Sequence, residues 1–205
     1  MAKGDFLFVL VGAVCEGEDI PEVESAARRE YLGSLKNLGR KRESAYAWRL
    51  LELGLTHRLG ISPKEADFRR LPSGAWESKV GFISISHTDG ACAVAICSSP
   101  VGVDIERVRV PRAENFAKKL LTEEEYSEFC ALGEGERAAA LIRKWTEREA
   151  AFKAGLLKRV TDVGCEGIST RSFEIMLNGA EYSLAFTCSS CELLLGASYE
   201  LVNFS

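Results

Sequence analysis

One long stretch in the second half of the chain places hydrophobic and polar residues with the period of an amphipathic helix. At about 100° per residue, Leu141, Trp145 and Phe152 fall on one face, which the pattern predicts to be the buried one. Glu149 lies about 40° from Trp145 and about 60° from Phe152, so a carboxylate interrupts this apolar face. A helix that packs through this face therefore has to accommodate a charged group there.

The remaining patterns predict strands and helices in a repeated order. Short apolar or alternating runs bounded by turn residues predict the strands, and Thr122 with Glu125 forms a capping box at the start of one helix. The order strand, helices, strands occurs twice, which predicts an α+β fold of two similar halves that meet near residue 100. The predicted strands are 6–14, 82–87, 92–99, 101–106, 172–177, 181–188 and 191–201, and the predicted helices are 22–37, 40–58, 111–119, 122–130 and 135–154.

The strand that reads VGVDIE places two carboxylates on one face. Side chains alternate along a strand, so Val103 and Ile105 face the core while Asp104 and Glu106 share the opposite face. Their α-carbons are about 7 Å apart, which lets both carboxylates converge on one hard cation. Taken alone, the pair is better explained by a solvated strand face than by a metal site.

The buried position predicted for Glu149 favours a metal site. An exposed i,i+4 pair with Lys153 is worth only about 0.2–0.5 kcal/mol, whereas removing a carboxylate from water costs several times more. A cation shared by Glu149, Asp104 and Glu106, with water and phosphate completing the shell, suits Mg²⁺. The alternative is that this helix edge stays hydrated and Glu149 pairs with Lys153 or Arg148.

Two further features could bind phosphate. His87 follows Ser86 at the end of a strand, just before an Asp-Gly turn whose backbone can hold phosphate oxygens. The run KNLGRKRESAYAWR is basic and carries Lys36 and Arg49. The alternative for His87 is a residue with a purely structural role in the core or the turn. The alternative for the basic run is the solvated face of a helix.

Composition limits the classes of protein. At 205 residues and 46% hydrophobic content, the chain can bury one sizeable core or two small halves that share one. A formal charge of −4 gives no electrostatic reason to bind nucleic acid. The first apolar run is short and has no clear cleavage site, so it is interpreted as a buried strand, and no stretch is long enough to predict a membrane span.

The seven cysteines do not form a recognisable metal or disulfide pattern. Only Cys188 and Cys191 make a CxxC pair, and the alternation around Ser189-Ser190 predicts a hairpin turn there rather than redox or metal chemistry. Four others stand in apolar surroundings, as buried, reduced thiols of a cytosolic protein do, namely Cys15, Cys92, Cys97 and Cys130.

Taken in this order, the motifs resemble those of the 4′-phosphopantetheinyl transferases. The hallmarks of that family are a strand ending in Ser-His, then Gly-(Ile/Val)-Asp-Ile-Glu, then Trp-x-x-Lys-Glu-x-x-x-Lys. The chain carries them as Ser86-His87, as residues 102–106, and as residues 145–153. The resemblance is specific from about residue 80 to 155. The Asp motif lies in the middle of the chain, as in the longer, pseudo-dimeric type that activates peptide and polyketide synthetase carrier proteins.

The chain departs from the family pattern in two places. Arg148 stands where the family has the first lysine of its third motif, which keeps the charge but changes the donor geometry. LPSGAWESK stands where a Gly-Lys-Pro segment normally precedes the Ser-His strand, which removes one expected phosphate contact.

The resemblance implies a role for each site residue. It implies that Asp104, Glu106 and Glu149 bind Mg²⁺ beside the pyrophosphate of coenzyme A. A carrier-protein serine would attack the β-phosphate, and 3′,5′-ADP would leave. Glu149, directly or through a water, and Lys153 would be the catalytic residues. The residues implied to contact coenzyme A are Lys36, Arg49, Ser86, His87, Arg148 and Lys153.

The resemblance also implies an architecture and a set of partners. Two similar α+β halves would pack around a shared active-site cleft. Residues 1–100 would carry the nucleotide contacts, and residues 101–205 the metal-binding carboxylates and the catalytic helix. The expected partners are coenzyme A and an apo acyl or peptidyl carrier protein, with no nucleic acid and no membrane. The protein is expected to be a monomer and to lie in the cytoplasm.

Two alternative functions remain open on the sequence. One is a non-catalytic module that binds a carrier protein or coenzyme A, having lost activity with the Gly-Lys-Pro segment. The other is a Mg²⁺-dependent phosphohydrolase that uses the same three carboxylates and releases 3′,5′-ADP without an acceptor protein.

Overall fold

The computed structural model of the chain describes residues 4–15, 17, 19–71, 74–109, 114–162 and 167–204, without the side chains of residues 114 and 115. The strands are β1 Leu7–Ala13, β2 Arg69–Arg70, β3 Trp76–Glu77, β4 Phe82–Thr88, β5 Ala91–Cys97, β6 Val101–Arg107, β7 Arg171–Leu177, β8 Ala180–Cys188 and β9 Glu200–Val202. The helices are α1 Ala26–Ser34, α2 Leu38–Gly54, α3 Glu114–Leu120, α4 Glu123–Ala131, α5 Glu134–Lys153 and α6 Cys191–Leu194, and a π-helical turn, Leu55–Leu59, extends α2.

Two main sheets carry the fold, which confirms the α+β prediction. The first has the strand order β4-β5-β1-β9 and the second has the order β6-β8-β7. In each sheet a single strand, β1 or β6, pairs antiparallel with the second strand of a later hairpin, β5 or β8. A third, two-stranded sheet of β2 and β3 lies within the segment predicted as a loop.

The core lies on both faces of the first sheet. One face packs against α2, where Leu10, Val94 and Ile96 join the buried Trp48 of that helix. The other face packs against the second sheet, whose inward residues include Val103, confirming the predicted alternation along β6. Helix α5 covers the far face of the second sheet, so the chain is layered as helix, sheet, sheet and helix.

Helix α5 packs through small residues and through part of the predicted apolar face, since Trp145 packs in the same cluster as Leu141. Thr146 and Ala150 are fully buried, and Leu141 is buried as predicted. Phe152 is 43% exposed, so the prediction that it faces the core is wrong. The reason is steric, because the backbone of α5 approaches β6 so closely at Gly102 that only small side chains fit between them.

The end of the chain differs from the predicted hairpin. Ser190 caps a short helix, Cys191–Leu194, by accepting a hydrogen bond from the Leu193 amide at 3.5 Å. The last strand, β9, then pairs in parallel with β1 of the first sheet instead of with β8. The predicted turn at Ser189-Ser190 and the predicted strand 191–201 are therefore wrong.

Most other predicted elements are confirmed, with shifted ends. The capping box of Thr122 and Glu125 forms at α4, whereas residues 111–113 of the helix predicted before it lie outside the described residues. Cys92, Cys97, Cys188 and Cys191 are free thiols, and so is Cys130, which is exposed and thereby contradicts its predicted burial. No helix within the described ranges is both long enough and apolar enough to cross a membrane.

The close approach at Gly102 yields a stability prediction. A Cβ atom at Gly102 would lie 1.9 Å from the Ala150 carbonyl oxygen and 2.7 Å from the Ala154 nitrogen, both backbone atoms that cannot rotate away. Gly102→Ala should therefore lower the free energy of unfolding by about 3 kcal/mol or more, measured by urea denaturation.

Gly135→Ala, on the helix α5 that packs against Gly102, is the matched control. A Cβ there meets no heavy atom within 4 Å, so the change should stay within about 1 kcal/mol of wild type and favour the helix. A Gly102→Ala protein with the wild-type denaturation midpoint would show that β6 and α5 are not in backbone contact.

Candidate active site

The free edge of β6 meets β4 and α5, and the predicted motif residues converge there. β6 is the outer strand of its sheet, so the peptide groups of Val103 have no strand partner. The Val103 amide donates to Ser84 Oγ of β4 at 3.0 Å, and its carbonyl accepts from Lys153 Nζ of α5 at 3.3 Å. Side chains from two elements thus satisfy the edge and hold it in place.

Asp104 is the buried centre of this cluster. Its side chain is on the face of β6 predicted from the alternation, and the residue is only 3% exposed. Ser86 Oγ donates to Asp104 Oδ1 at 2.7 Å, and Lys153 Nζ lies 2.7 Å from the same oxygen. The second carboxylate oxygen, Oδ2, is buried and has no hydrogen-bond partner among the described residues. One lone-pair-rich atom is therefore left for a ligand.

Glu106 and Glu149 lie within the electrostatic field of Asp104. The pKa of Glu106 is raised by burial and next by the negative charge of Asp104, although Thr88 Oγ1 donates to its Oε2 at 3.1 Å. The pKa of Glu149 is raised by the same two causes in the same order. Both groups gain from a nearby positive charge, because repulsion by Asp104 opposes their ionisation.

The ion pair of Glu149 with Lys153 or Arg148, considered above as the alternative to a metal, is absent among the described residues. Lys153 forms its ion pair with Asp104 instead. The ammonium group of Lys153 therefore lies at one side of the carboxylate cluster and supplies a positive charge there. The position of Lys153 beside the cluster explains how α5 carries the charged Glu149 on an inward-facing part without an ion pair along the helix.

The residues fit a hard cation by donor type, although the cluster does not yet have the shape of a metal site. Over the described part of the chain, no group of three or more His, Cys, Asp or Glu side chains is arranged to hold a metal ion. The unpartnered Asp104 Oδ2 and the two carboxylates with raised pKa values nevertheless supply oxygen donors that suit Mg²⁺. The predicted ligand set of Asp104, Glu106 and Glu149 stays a prediction.

His87 faces away from Asp104, on the side of β4 that packs against α2. Its Nδ1 lies 3.1 Å from Oε2 of Glu43 on that helix. Burial lowers the pKa of His87 below its ordinary value, Glu43 partly offsets this, and the charges of Arg28 and Lys153 lower it further. Sequence reasoning missed Glu43, because a lone glutamate inside a basic run carries no motif.

The side chains of Ser86 and His87 therefore make their contacts on opposite sides of β4. Ser86 was predicted to contact coenzyme A, and in the structure its hydroxyl holds Asp104. The charge of Lys153 reaches His87 and lowers its pKa, but the contact of the imidazole is with Glu43. The structure thus brings together Ser86, Asp104, Glu106, Glu149 and Lys153, and places His87 on the other side of β4.

Three predicted contacts to coenzyme A lie on other surfaces. Arg49 is 3.5 Å from buried Glu52 and lines a separate pocket beside residues 21–24. Arg148 donates to the Asp162 carbonyl and lies 3.6 Å from Glu125 Oε2, on a different side of α5 from Lys153. Lys36 is exposed in the turn between α1 and α2.

A cavity of about 680 Å³ opens beside Lys153. The segment that replaces the Gly-Lys-Pro motif contributes β3 and forms part of its wall. Two further cations line it, Arg69 and Lys79, and Asp67 holds both, at 3.3 Å and 2.7 Å. The cavity therefore carries positive charge and adjoins the carboxylate cluster through Lys153, which lines the cavity and pairs with Asp104.

Comparison with known proteins supports the family suggested by the motifs. Residues 100–194 match the family model described as ACPS, the 4′-phosphopantetheinyl transferase superfamily. This segment contains Asp104, Glu106, Glu149 and Lys153. No curated protein matches the chain. Residues 100–194 therefore carry a domain of the 4′-phosphopantetheinyl transferase superfamily.

Proposed function

We propose that the protein transfers the 4′-phosphopantetheine group of coenzyme A to a serine of an apo acyl or peptidyl carrier protein, in a Mg²⁺-dependent reaction that releases 3′,5′-ADP. The superfamily domain supports phosphopantetheine transfer in general. The observation that carries the specific proposal is the environment of Asp104. It is buried, oriented by Ser86 and Lys153, and left with one unpartnered oxygen beside two carboxylates whose pKa values are raised.

Asp104, Glu106 and Glu149 would hold the Mg²⁺ ion. Burial raises the pKa of both glutamates and the charge of Asp104 raises it further, so a bound cation would stabilise their ionised forms. When bound, Mg²⁺ would neutralise charge on the pyrophosphate and favour in-line displacement at phosphorus.

The residues of the chain divide the transfer between a base and a cation. The serine oxygen of the carrier protein forms a bond to the β-phosphorus of coenzyme A, and the bond from that phosphorus to the bridging oxygen breaks. Glu149, whose pKa is raised by burial, accepts the serine proton directly or through a water. Lys153, held at the cluster by Asp104, stabilises the negative charge that develops on departing 3′,5′-ADP.

The cavity beside Lys153 is the best place in the described structure for coenzyme A. Arg69, Lys79 and Lys153 lie in its wall, and His87 is proposed to reach the nucleotide end from the other side of β4. Anionic phosphates of the substrate would exchange with Asp67 as partners of the two cations. The contacts predicted for Lys36, Arg49 and Arg148 stay predictions.

The two sheets support the proposal of two similar halves. In each, a first strand is followed by helices and then a hairpin, and the second hairpin strand pairs with the first strand. We therefore propose a pseudo-dimer of residues 1–100 and 101–205 around the cleft, with β9 returning to the first sheet. Two internal halves already form the cleft, so we expect a monomer. The free thiols in the described ranges suit the cytoplasm.

The first prediction is tested with a panel of apo carrier proteins. The protein is incubated with coenzyme A, Mg²⁺ and each carrier, and the carrier mass is followed. We expect at least one carrier to gain phosphopantetheine, and Asp104→Asn to lower kcat by at least about a hundredfold because it removes the charge that orients the cluster. Asp19→Asn, an exposed aspartate, is the control.

The other outcomes identify the alternative functions. Binding of coenzyme A without modification of any carrier would indicate a non-catalytic module. Release of 3′,5′-ADP in the absence of a carrier would indicate a phosphohydrolase. Wild-type transfer by Asp104→Asn would contradict the assignment of Asp104.

The second prediction concerns the charge of Glu149 and the stability of the metal-free protein. Its folded-state pKa lies above the ordinary value of 4.5, so the folded protein binds the proton more tightly than the unfolded chain does. Stability from this group is therefore present at low pH and is lost as the pH rises through the raised pKa. Glu149→Gln removes that loss, so near neutral pH the variant should melt at the wild-type temperature or above, with the difference shrinking toward pH 4.5.

The same variant should lose function. We expect less stabilisation on addition of Mg²⁺ with coenzyme A, and a kcat at least about a hundredfold lower, because the metal ligand and the base are both removed. Glu128→Gln, an exposed position on α4, is the matched control for charge. A Glu149→Gln protein that melts lower at neutral pH and transfers at the wild-type rate would show that Glu149 has only a structural role.

A further inference from the structure

The contact between Glu43 and His87 joins helix α2 to strand β4. Glu43 is on α2 and His87 is on β4, and 3.1 Å separates Oε2 from Nδ1. Both side chains are mostly covered, with 21% and 29% of their surfaces exposed. An ionised carboxylate only accepts hydrogen bonds, so Nδ1 of His87 has to carry the proton in this contact. Nε2, the other ring nitrogen, is then left free of Glu43.

We propose that Glu43 is a positioning residue for coenzyme A: it holds the imidazole of His87 with Nδ1–H toward α2, so that Nε2 is presented to a phosphate group of the substrate. The inference rests on the proposed function, in which His87 contacts the nucleotide end of coenzyme A. It adds a residue outside the three motifs and outside the matched segment 100–194. The contact of Glu43 is with His87, so it acts through the histidine.

The charges around His87 make Glu43 important for this role. Arg28 of α1 and Lys153 of α5 both disfavour a protonated imidazole, as burial does. Glu43 is the neighbour that favours it, so the carboxylate supports the form that donates from both ring nitrogens. A phosphate oxygen accepts hydrogen bonds and carries negative charge, so it binds the protonated ring more tightly than the neutral one.

The backbone beside Glu43 is itself anchored, which fixes the direction of the contact. Arg28 donates from one guanidinium nitrogen to the carbonyl and to the hydroxyl of Ser44, at 2.9 Å and 2.5 Å. The guanidinium also stacks on the ring of Trp48, one turn farther along α2, at 4.7 Å. These contacts connect the first turns of α2 to α1. They leave the Glu43 carboxylate little freedom to move away from β4.

The chain has two histidines, His57 and His87, so the imidazole state can be read directly by ¹⁵N NMR. A His57→Gln variant leaves one set of ring signals. We expect the wild-type spectrum to show proton occupancy at Nδ1 of His87, and Glu43→Gln to lose that preference and to lower the pKa of His87, because the charge that favours the protonated ring is removed. Glu30→Gln, an exposed glutamate of α1, should change neither property.

Binding of coenzyme A is then measured by calorimetry at about pH 6 and about pH 8. Glu43→Gln should raise the Kd about five- to tenfold, with the larger loss at the higher pH, because fewer histidines are protonated there. His87→Ala should raise the Kd at least as much, and adding Glu43→Gln to it should cause no further loss, since both changes remove one contact. Coenzyme A without its 3′-phosphate serves as the probe for which phosphate is contacted.

Two outcomes overturn the inference. If the losses from Glu43→Gln and His87→Ala add, Glu43 acts independently of the histidine. If Glu43→Gln leaves the ring signals of His87 unchanged, the contact does not set the tautomer. The NMR result does not depend on catalysis, so failure of the proposed function, seen as no transfer to any carrier, is distinguishable from failure of this inference.

Discussion

The arrangement of the cleft depends on one buried negative charge, the carboxylate of Asp104. A carboxylate that is 3% exposed is stable only if other groups compensate for its lost hydration. Ser86 and Lys153 supply that compensation at one oxygen, while the other oxygen has no partner. The same charge acts on Glu106 and Glu149 and raises the pKa of each beyond the effect of burial. The protein therefore maintains a negative cluster whose repulsion is relieved by a cation, which is the property that a pyrophosphate-binding metal site requires.

The fold creates this cluster by bringing an unpaired strand edge against a helix. Because β6 is an outer strand, Val103 offers its backbone groups to Ser84 of β4 and to Lys153 of α5. The absence of a side chain at Gly102 lets α5 approach within backbone contact distance. That approach sets the position of Lys153 and, one turn earlier, of Glu149. Backbone packing and the geometry of the candidate site are therefore consequences of the same contact.

The sequence predicts the parts of this structure that depend on local periodicity. Alternation along β6 correctly assigns Val103 to the core and Asp104 to the opposite face, because side-chain direction in a strand follows from the backbone alone. The buried face of α5 is predicted less well, because Phe152 is displaced to the surface by a close helix–strand contact that no helical wheel contains. The pairing of β9 with β1 and the contact of Glu43 with His87 join residues distant in the chain, and neither has a spacing signature.

The most direct test of the account is a titration of Mn²⁺, as a spectroscopic substitute for Mg²⁺, into the protein with and without coenzyme A. If Asp104, Glu106 and Glu149 form the cation site, about one Mn²⁺ should bind per chain, at least about tenfold more tightly when coenzyme A is present. Asp104→Asn, shown by circular dichroism to be folded, should abolish that enhancement. Binding of Mn²⁺ that is equally tight in wild type and Asp104→Asn, or that is indifferent to coenzyme A, would contradict the central claim that the buried carboxylate cluster exists to hold a metal on the substrate.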